Sequence, residues 1–89
     1  MNGMKRAELK EEIDLYKETT YCVYSEDTGM LLEEWNIKRY PNGEYVGTQL
    51  AYEYEYETGM RVPMKEYSKT VSGTFDEICD AISQSEMYV

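Results

Sequence analysis

Between Ala51 and Glu57 the chain alternates tyrosine and glutamate without a break: Ala51-Tyr52-Glu53-Tyr54-Glu55-Tyr56-Glu57. Successive side chains of a β-strand point to opposite faces. The pattern therefore predicts a strand with Tyr52, Tyr54 and Tyr56 on one face and Glu53, Glu55 and Glu57 on the other. The tyrosines supply ring area that a core can bury while each hydroxyl still reaches a partner. The glutamates form a row of negative charge at a spacing of roughly 7 Å, twice the rise per residue.

The other elements arrange themselves around this strand. Residues 4–17 read as a helix, with Leu9, Ile13 and Tyr16 recurring on one side and Lys5, Glu8, Glu11, Glu12 and Asp14 elsewhere. A first strand covers residues 19–25, with Tyr21 and Val23 on one face and Cys22 and Tyr24 on the other. Asp27-Thr28-Gly29 is a turn. A second strand spans residues 30–40, and its odd positions, Leu31, Glu33, Trp35 and Ile37, are the more apolar and face the core. Pro41-Asn42-Gly43 is the clearest turn, with Asn-Gly supplying the positive φ values of a tight hairpin.

The third strand covers residues 44–57, with Val46, Thr48, Leu50, Tyr52, Tyr54 and Tyr56 as its core face and Gly47 as a candidate bulge. A fourth strand, residues 61–72, contains Pro63, which cannot donate a ladder hydrogen bond and belongs at a sheet edge. Thr74-Phe75-Asp76-Glu77 matches a capping box and opens a helix over residues 75–83, with Phe75, Ile78, Cys79 and Ile82 on its apolar side. The tail is expected to fray, or to pack back through Met87, Tyr88 and Val89. No internal repeat is evident beyond the Tyr-Glu alternation. The expected fold is α+β, a single domain over residues 1–89. Its four-stranded antiparallel meander carries an N-terminal and a C-terminal helix (α-β-β-β-β-α) on one sheet face.

The net charge is −9, and most of it lies in residues 19–60, where eight acids meet only Lys38 and Arg39. A field of that sign repels phosphate backbones and anionic membrane surfaces, so direct binding to nucleic acid or membrane is not expected. No stretch has the length or apolarity of a membrane span or signal peptide. Cytoplasmic residence with Cys22 and Cys79 as reduced thiols follows as the expectation, one disulfide between them being the alternative.

The chain has no histidine. The commonest general base near neutral pH and the commonest metal ligand are therefore missing, and serine-histidine and cysteine-histidine nucleophile pairs are excluded. No Gly-rich loop precedes a helix, so neither a P-loop nor a dinucleotide cradle is expected. Glu53 and Glu55 share a face, but an exposed strand offers no cleft to raise a pKa. Glu33 and Glu34 point to opposite faces. Three carboxylates along an extended strand diverge where a calcium site needs convergence. The expectation is a non-enzymatic protein without cofactor or metal.

Two readings of the acid row remain. Glu53, Glu55 and Glu57, with Glu33 and Glu34 of the second strand, imitate a nucleic-acid backbone and occupy a basic protein surface. The partner would be a nucleic-acid-binding enzyme, in the manner of phage-borne inhibitors. Alternatively the row is a solvated face paired with lysine and arginine across the hairpin. A three-residue loop, Thr58-Gly59-Met60, best matches the two faces, pairing Glu57 with Arg61, Glu55 with Pro63 and Glu53 with Lys65. That register neutralises part of the row and leaves Glu26, Asp27, Glu33, Glu34, Glu44 and Glu55 as excess. A structural or assembly subunit, such as a homodimer joined through a sheet edge or the tyrosine face, is the alternative function. A pocket between helices and sheet finds no supporting polar constellation.

Overall fold

A computed structural model of the chain describes residues 1–55 and 57–87, without the side chains of residues 63–67. The elements run α1 (Gly3–Tyr16), β1 (Glu18–Tyr24), β2 (Leu31–Arg39), β3 (Tyr45–Tyr54), β4 (Arg61–Gly73) and α2 (Phe75–Glu86). The strands form one antiparallel meander in the order β1-β2-β3-β4. Leu9 and Ile13 of α1 share one buried cluster with Ile78 and Ile82 of α2 and with Val23, Trp35, Ile37 and Tyr45 of the sheet. Both helices thus lie on one face of the expected α+β sheet, and β4 with its Pro63 is an edge strand.

Local chemistry explains the helix boundaries. The Asn2 side chain accepts from the Lys5 N–H at 2.8 Å and caps α1. Lys17 closes that helix in the left-handed region, φ 67°, with its N–H donating to the Ile13 carbonyl. At α2 the capping box is complete: Thr74 Oγ1 accepts from the Glu77 N–H and the Glu77 carboxylate accepts from the Thr74 N–H, both at 3.2 Å. Arg6 of α1 donates to Asp80 of α2 at 2.9 Å and joins the helices. Tyr16 departs from expectation: it is 74% exposed, at the helical residue where the chain turns into β1.

The turn between β2 and β3 decides the faces of the sheet. Tyr40 and Glu44 are joined by a 2.8 Å backbone hydrogen bond, so the loop is the three residues Pro41, Asn42 and Gly43, with Gly43 at φ 85°. A three-residue loop pairs odd positions with odd: Arg39 with Tyr45, Ile37 with Gly47, Trp35 with Gln49 and Glu33 with Ala51. A two-residue Asn-Gly loop would pair odd with even and bring Leu50 and Thr48 beneath the helices. The expected core face of β3 is therefore corrected. Tyr45, Gly47 and Gln49 are buried against the helices, while Val46, Thr48, Leu50 and Tyr52 lie on the opposite side. Tyr56, the third expected tyrosine, lies outside the described residues, as do Tyr88 and Val89.

Gly47 is also corrected as a bulge, since it sits in regular register between Ile37 and Val71. Its role is close packing: a Cβ built there would stand 2.9 Å from Ile78 Cγ2 on α2. Overpacking of this kind costs about 1–3 kcal/mol. Gly47→Ala is therefore expected to lower the unfolding free energy by about that amount, measured by urea denaturation.

Glu33 meets the core as a buried carboxylate, 3% exposed. It accepts from Trp35 Nε1 at 2.9 Å, from Gln49 Nε2 at 2.6 Å and from Ser85 Oγ at 2.9 Å. Those bonds tie β2, β3 and α2 together and satisfy the indole N–H that burying Trp35 would otherwise strand. Glu33→Leu removes the acceptor and leaves the Trp35 indole N–H and the Ser85 hydroxyl proton unpaired, while Gln49 Nε2 keeps only its 3.1 Å bond to Ser85 Oγ. An unpaired buried group costs about 1–3 kcal/mol, so a loss of at least about 2 kcal/mol is expected in the same measurement.

Candidate functional site

The strongest surface feature lies at one end of the sheet, where nearly the same turn is built twice. Thr28-Gly29-Met30 follows β1 and Thr58-Gly59-Met60 follows β3. In the first, the Ser25 N–H donates to Met30 O at 2.8 Å and the Gly29 N–H to Ser25 O at 2.9 Å. In the second, the Glu55 N–H donates to Met60 O at 2.9 Å and the Gly59 N–H to Glu55 O at 2.8 Å. Each threonine hydroxyl accepts from the following methionine N–H, at 3.3 and 3.2 Å. Each glycine takes the left-handed conformation the motif requires, φ 71° and 68°. The Thr-Gly-Met repetition is the one signal of this pairing in the sequence, a short one because only the turn recurs and the strands around it differ.

Alternate hairpins of an antiparallel meander turn at the same end, so the β1–β2 and β3–β4 turns share one end of the sheet, about 10 Å apart at two strand spacings. Tyr54 Oη of the second hairpin donates to Leu31 O of the first at 3.0 Å. Glu26, Asp27, Glu53, Glu55 and Glu57 are exposed there, with the partly exposed side chains of Met30, Met60 and Tyr24 among them. None of these five acids belongs to an ion pair among the described side chains. Like charges so grouped raise a local negative potential that attracts cations over a distance set by salt.

The hairpin register differs from the expected one and carries Arg61 away from the acid row. Near the turn, Glu53 opposes Val62 and Tyr54 opposes Arg61, and the Glu55 N–H bonded to Met60 O closes the hairpin. The expected register is found only at the far end of the same strands, where Tyr45 opposes Gly73 and Gln49 opposes Lys69. Between the two blocks, the single residue Leu50 faces residues 65–68. Arg61, expected beside Glu57, instead stacks over Tyr52, 4.6 Å from the ring centroid, and reaches Glu34 at 3.8 Å. That cation is spent on the other face of the sheet.

The five expected contact residues thus separate into three environments. Glu33 is removed from any surface role by its burial. Glu34 is half-buried on the face away from the helices, beside Arg61 and Tyr52. Glu53, Glu55 and Glu57 lie at the turn end with Glu26 and Asp27; Glu55 also accepts from Thr58 Oγ1 at 2.8 Å. The strand itself stops at Tyr54, so Glu55 and Glu57 belong to the turn and do not continue the strand alternation.

Other sites offer less chemistry. A depression of about 270 Å³ beside the first turn, lined by Val23, Tyr24, Ser25, Glu26, Asp27 and Glu86, falls just below the size range of small-molecule pockets. Cys22 is half-buried on the face away from the helices and Cys79 is buried in α2, and both are free thiols. Burial pushes the Cys79 thiol up. Among the described residues no three acidic or cysteine side chains converge to hold a metal ion, and no helix is long and apolar enough to cross a membrane.

Glu86 accepts from the Met1 amino group at 3.1 Å and from Tyr21 Oη at 3.2 Å. Burial, and then the Glu86 carboxylate, push the Tyr21 phenol up to about 12. An unfolded tyrosine ionises near 10. The fold therefore favours the protonated phenol, with a contribution fully present below about pH 10 and lost as pH rises through about 12. Urea midpoints followed across that window should fall less steeply for Tyr21→Phe than for the native chain.

Comparison with protein-family models, with curated proteins and with solved structures finds no match to this chain.

Proposed function

We propose that this chain is a non-enzymatic acidic binding domain that engages a basic protein surface through the paired hairpin turns. The observation carrying this reading is the group of five exposed acids, Glu26, Asp27, Glu53, Glu55 and Glu57, without a described cationic partner. Two exposed methionines at the same end add deformable apolar contact. Basic surfaces of this extent belong above all to proteins that handle nucleic acid. The proposed role is an inhibitor or regulator of such a protein in the cytoplasm, of the kind phages carry, which takes the groove meant for a phosphate backbone. The absence of histidine supports action by binding alone.

Binding to purified nucleases and DNA-binding proteins, followed by fluorescence anisotropy, tests the reading. For a true partner the affinity should fall at least tenfold between 50 and 200 mM salt, since several charge contacts are screened together. Duplex DNA should compete with the chain for the partner. Joint reversal of Glu53, Glu55 and Glu57 to lysine should weaken binding at least tenfold without loss of helix signal. A complex that accepts DNA and this chain together, or ignores the reversals, would refute the proposed mode.

A further inference from the structure

The sheet face opposite the helices has no covering element among the described residues. It is nevertheless apolar at its centre. Register and alternation bring Cys22, Leu32, Leu50 and Tyr52 side by side there, each half-buried by neighbours on the same sheet alone, with the more exposed Tyr24 next to them. A solvated sheet face would carry charged and small polar residues at these positions.

Its charge also sets it apart from the rest of the molecule. The described ionisable acids and bases on this face are Glu18 and Glu34 against Lys38 and Arg61, a balance of zero, whereas the whole chain carries −9. Two copies of so acidic a chain repel wherever the acids face each other. Here they do not. Glu18 stands opposite Lys38 across the strands and Glu34 lies by Arg61, so each copy presents its own compensated charges.

The dimensions suffice for a partner of this kind. Four strands at about 4.8 Å and nine residues of β2 at about 3.4 Å give a face of roughly 19 by 30 Å. That is a footprint of somewhat under 600 Å² per copy, so a pair covers on the order of 1,100 Å², the size of a weak, concentration-dependent interface. We propose that a second copy of this chain packs on this face, sheet on sheet across a two-fold axis. The proposal uses a surface separate from the acidic turns and does not depend on the function assigned to them.

Analytical ultracentrifugation of the native chain from 1 to 100 µM tests it directly. The expected species at the upper concentrations has twice the 10.5 kDa chain mass and changes little between 150 and 500 mM salt. Leu50→Lys and Thr48→Arg, both on this face, should each raise the dissociation constant at least tenfold while circular dichroism stays native. Glu55→Lys, at the turn, should leave it unchanged. Alkylation of Cys22 should slow as the native chain is concentrated and should lose that dependence in Leu50→Lys. A native chain that remains monomeric at 100 µM overturns the proposal, and so does a dimer indifferent to both face substitutions.

Discussion

One backbone hydrogen bond, between the Tyr40 N–H and the Glu44 carbonyl, governs which half of this molecule is inside. It makes the loop three residues long and so preserves the parity of pairing between β2 and β3. Trp35 and Ile37 are committed to the helix side by their own apolar alternation. With parity preserved, Tyr45, Gly47 and Gln49 must follow them, and the more tyrosine-rich side of β3 is sent outward. The side chains that meet beneath the helices are then unusual for a core: a glycine that admits Ile78 and a glutamine that serves Glu33. The aliphatic contribution comes chiefly from α1, β2 and α2.

The buried carboxylate follows from the same parity. Glu33 occupies a core position because the odd face of β2 is the core face, and Gln49 stands across from Trp35 because the register demands it. Gln49 and Ser85 bond one Glu33 oxygen and the Trp35 indole N–H bonds the other. A closed network of this sort specifies its own geometry, since a one-residue slip of β3 would trade Gln49 for Thr48 or Leu50 and remove the amide donor from the carboxylate. The polar centre thus acts as a register lock for the very strand whose alternation was most ambiguous.

The order of elements, the capping box at Thr74 and the edge position of Pro63 were legible because each rests on a local rule that tertiary contacts do not override. The core face of β2 was legible too, including the uncomfortable inclusion of Glu33. The core face of β3 was not: the three-residue turn Pro41-Asn42-Gly43 was itself legible, but the tyrosine-rich even positions of the strand outweighed the odd-with-odd pairing that such a turn imposes. The pairing of β3 with β4 was half legible. No single loop length describes it, because the strands use one register by the helices and another by the turn. Of the candidate site, Glu53, Glu55 and Glu57 were legible as acids, whereas their company, Glu26 and Asp27 across a neighbouring hairpin, required the topology. Arg61 was misplaced for the same reason.

The change of register opposite Leu50 has a consequence for how the sheet comes apart. A continuous ladder frays from its ends and stops only where bonding is strongest. Here the β3–β4 ladder consists of two blocks, Tyr45 to Gln49 against Lys69 to Gly73 and Ala51 to Tyr54 against Arg61 to Met64. The first block lies under α2 and shares its opening with the core. The second carries the paired turns and can open by itself, so its amide protons should exchange through a local, low-energy event while those of Gly47 and Gln49 wait for global unfolding. The acidic end of the molecule is in this sense a separate cooperative unit, built on a core that need not yield when that end rearranges.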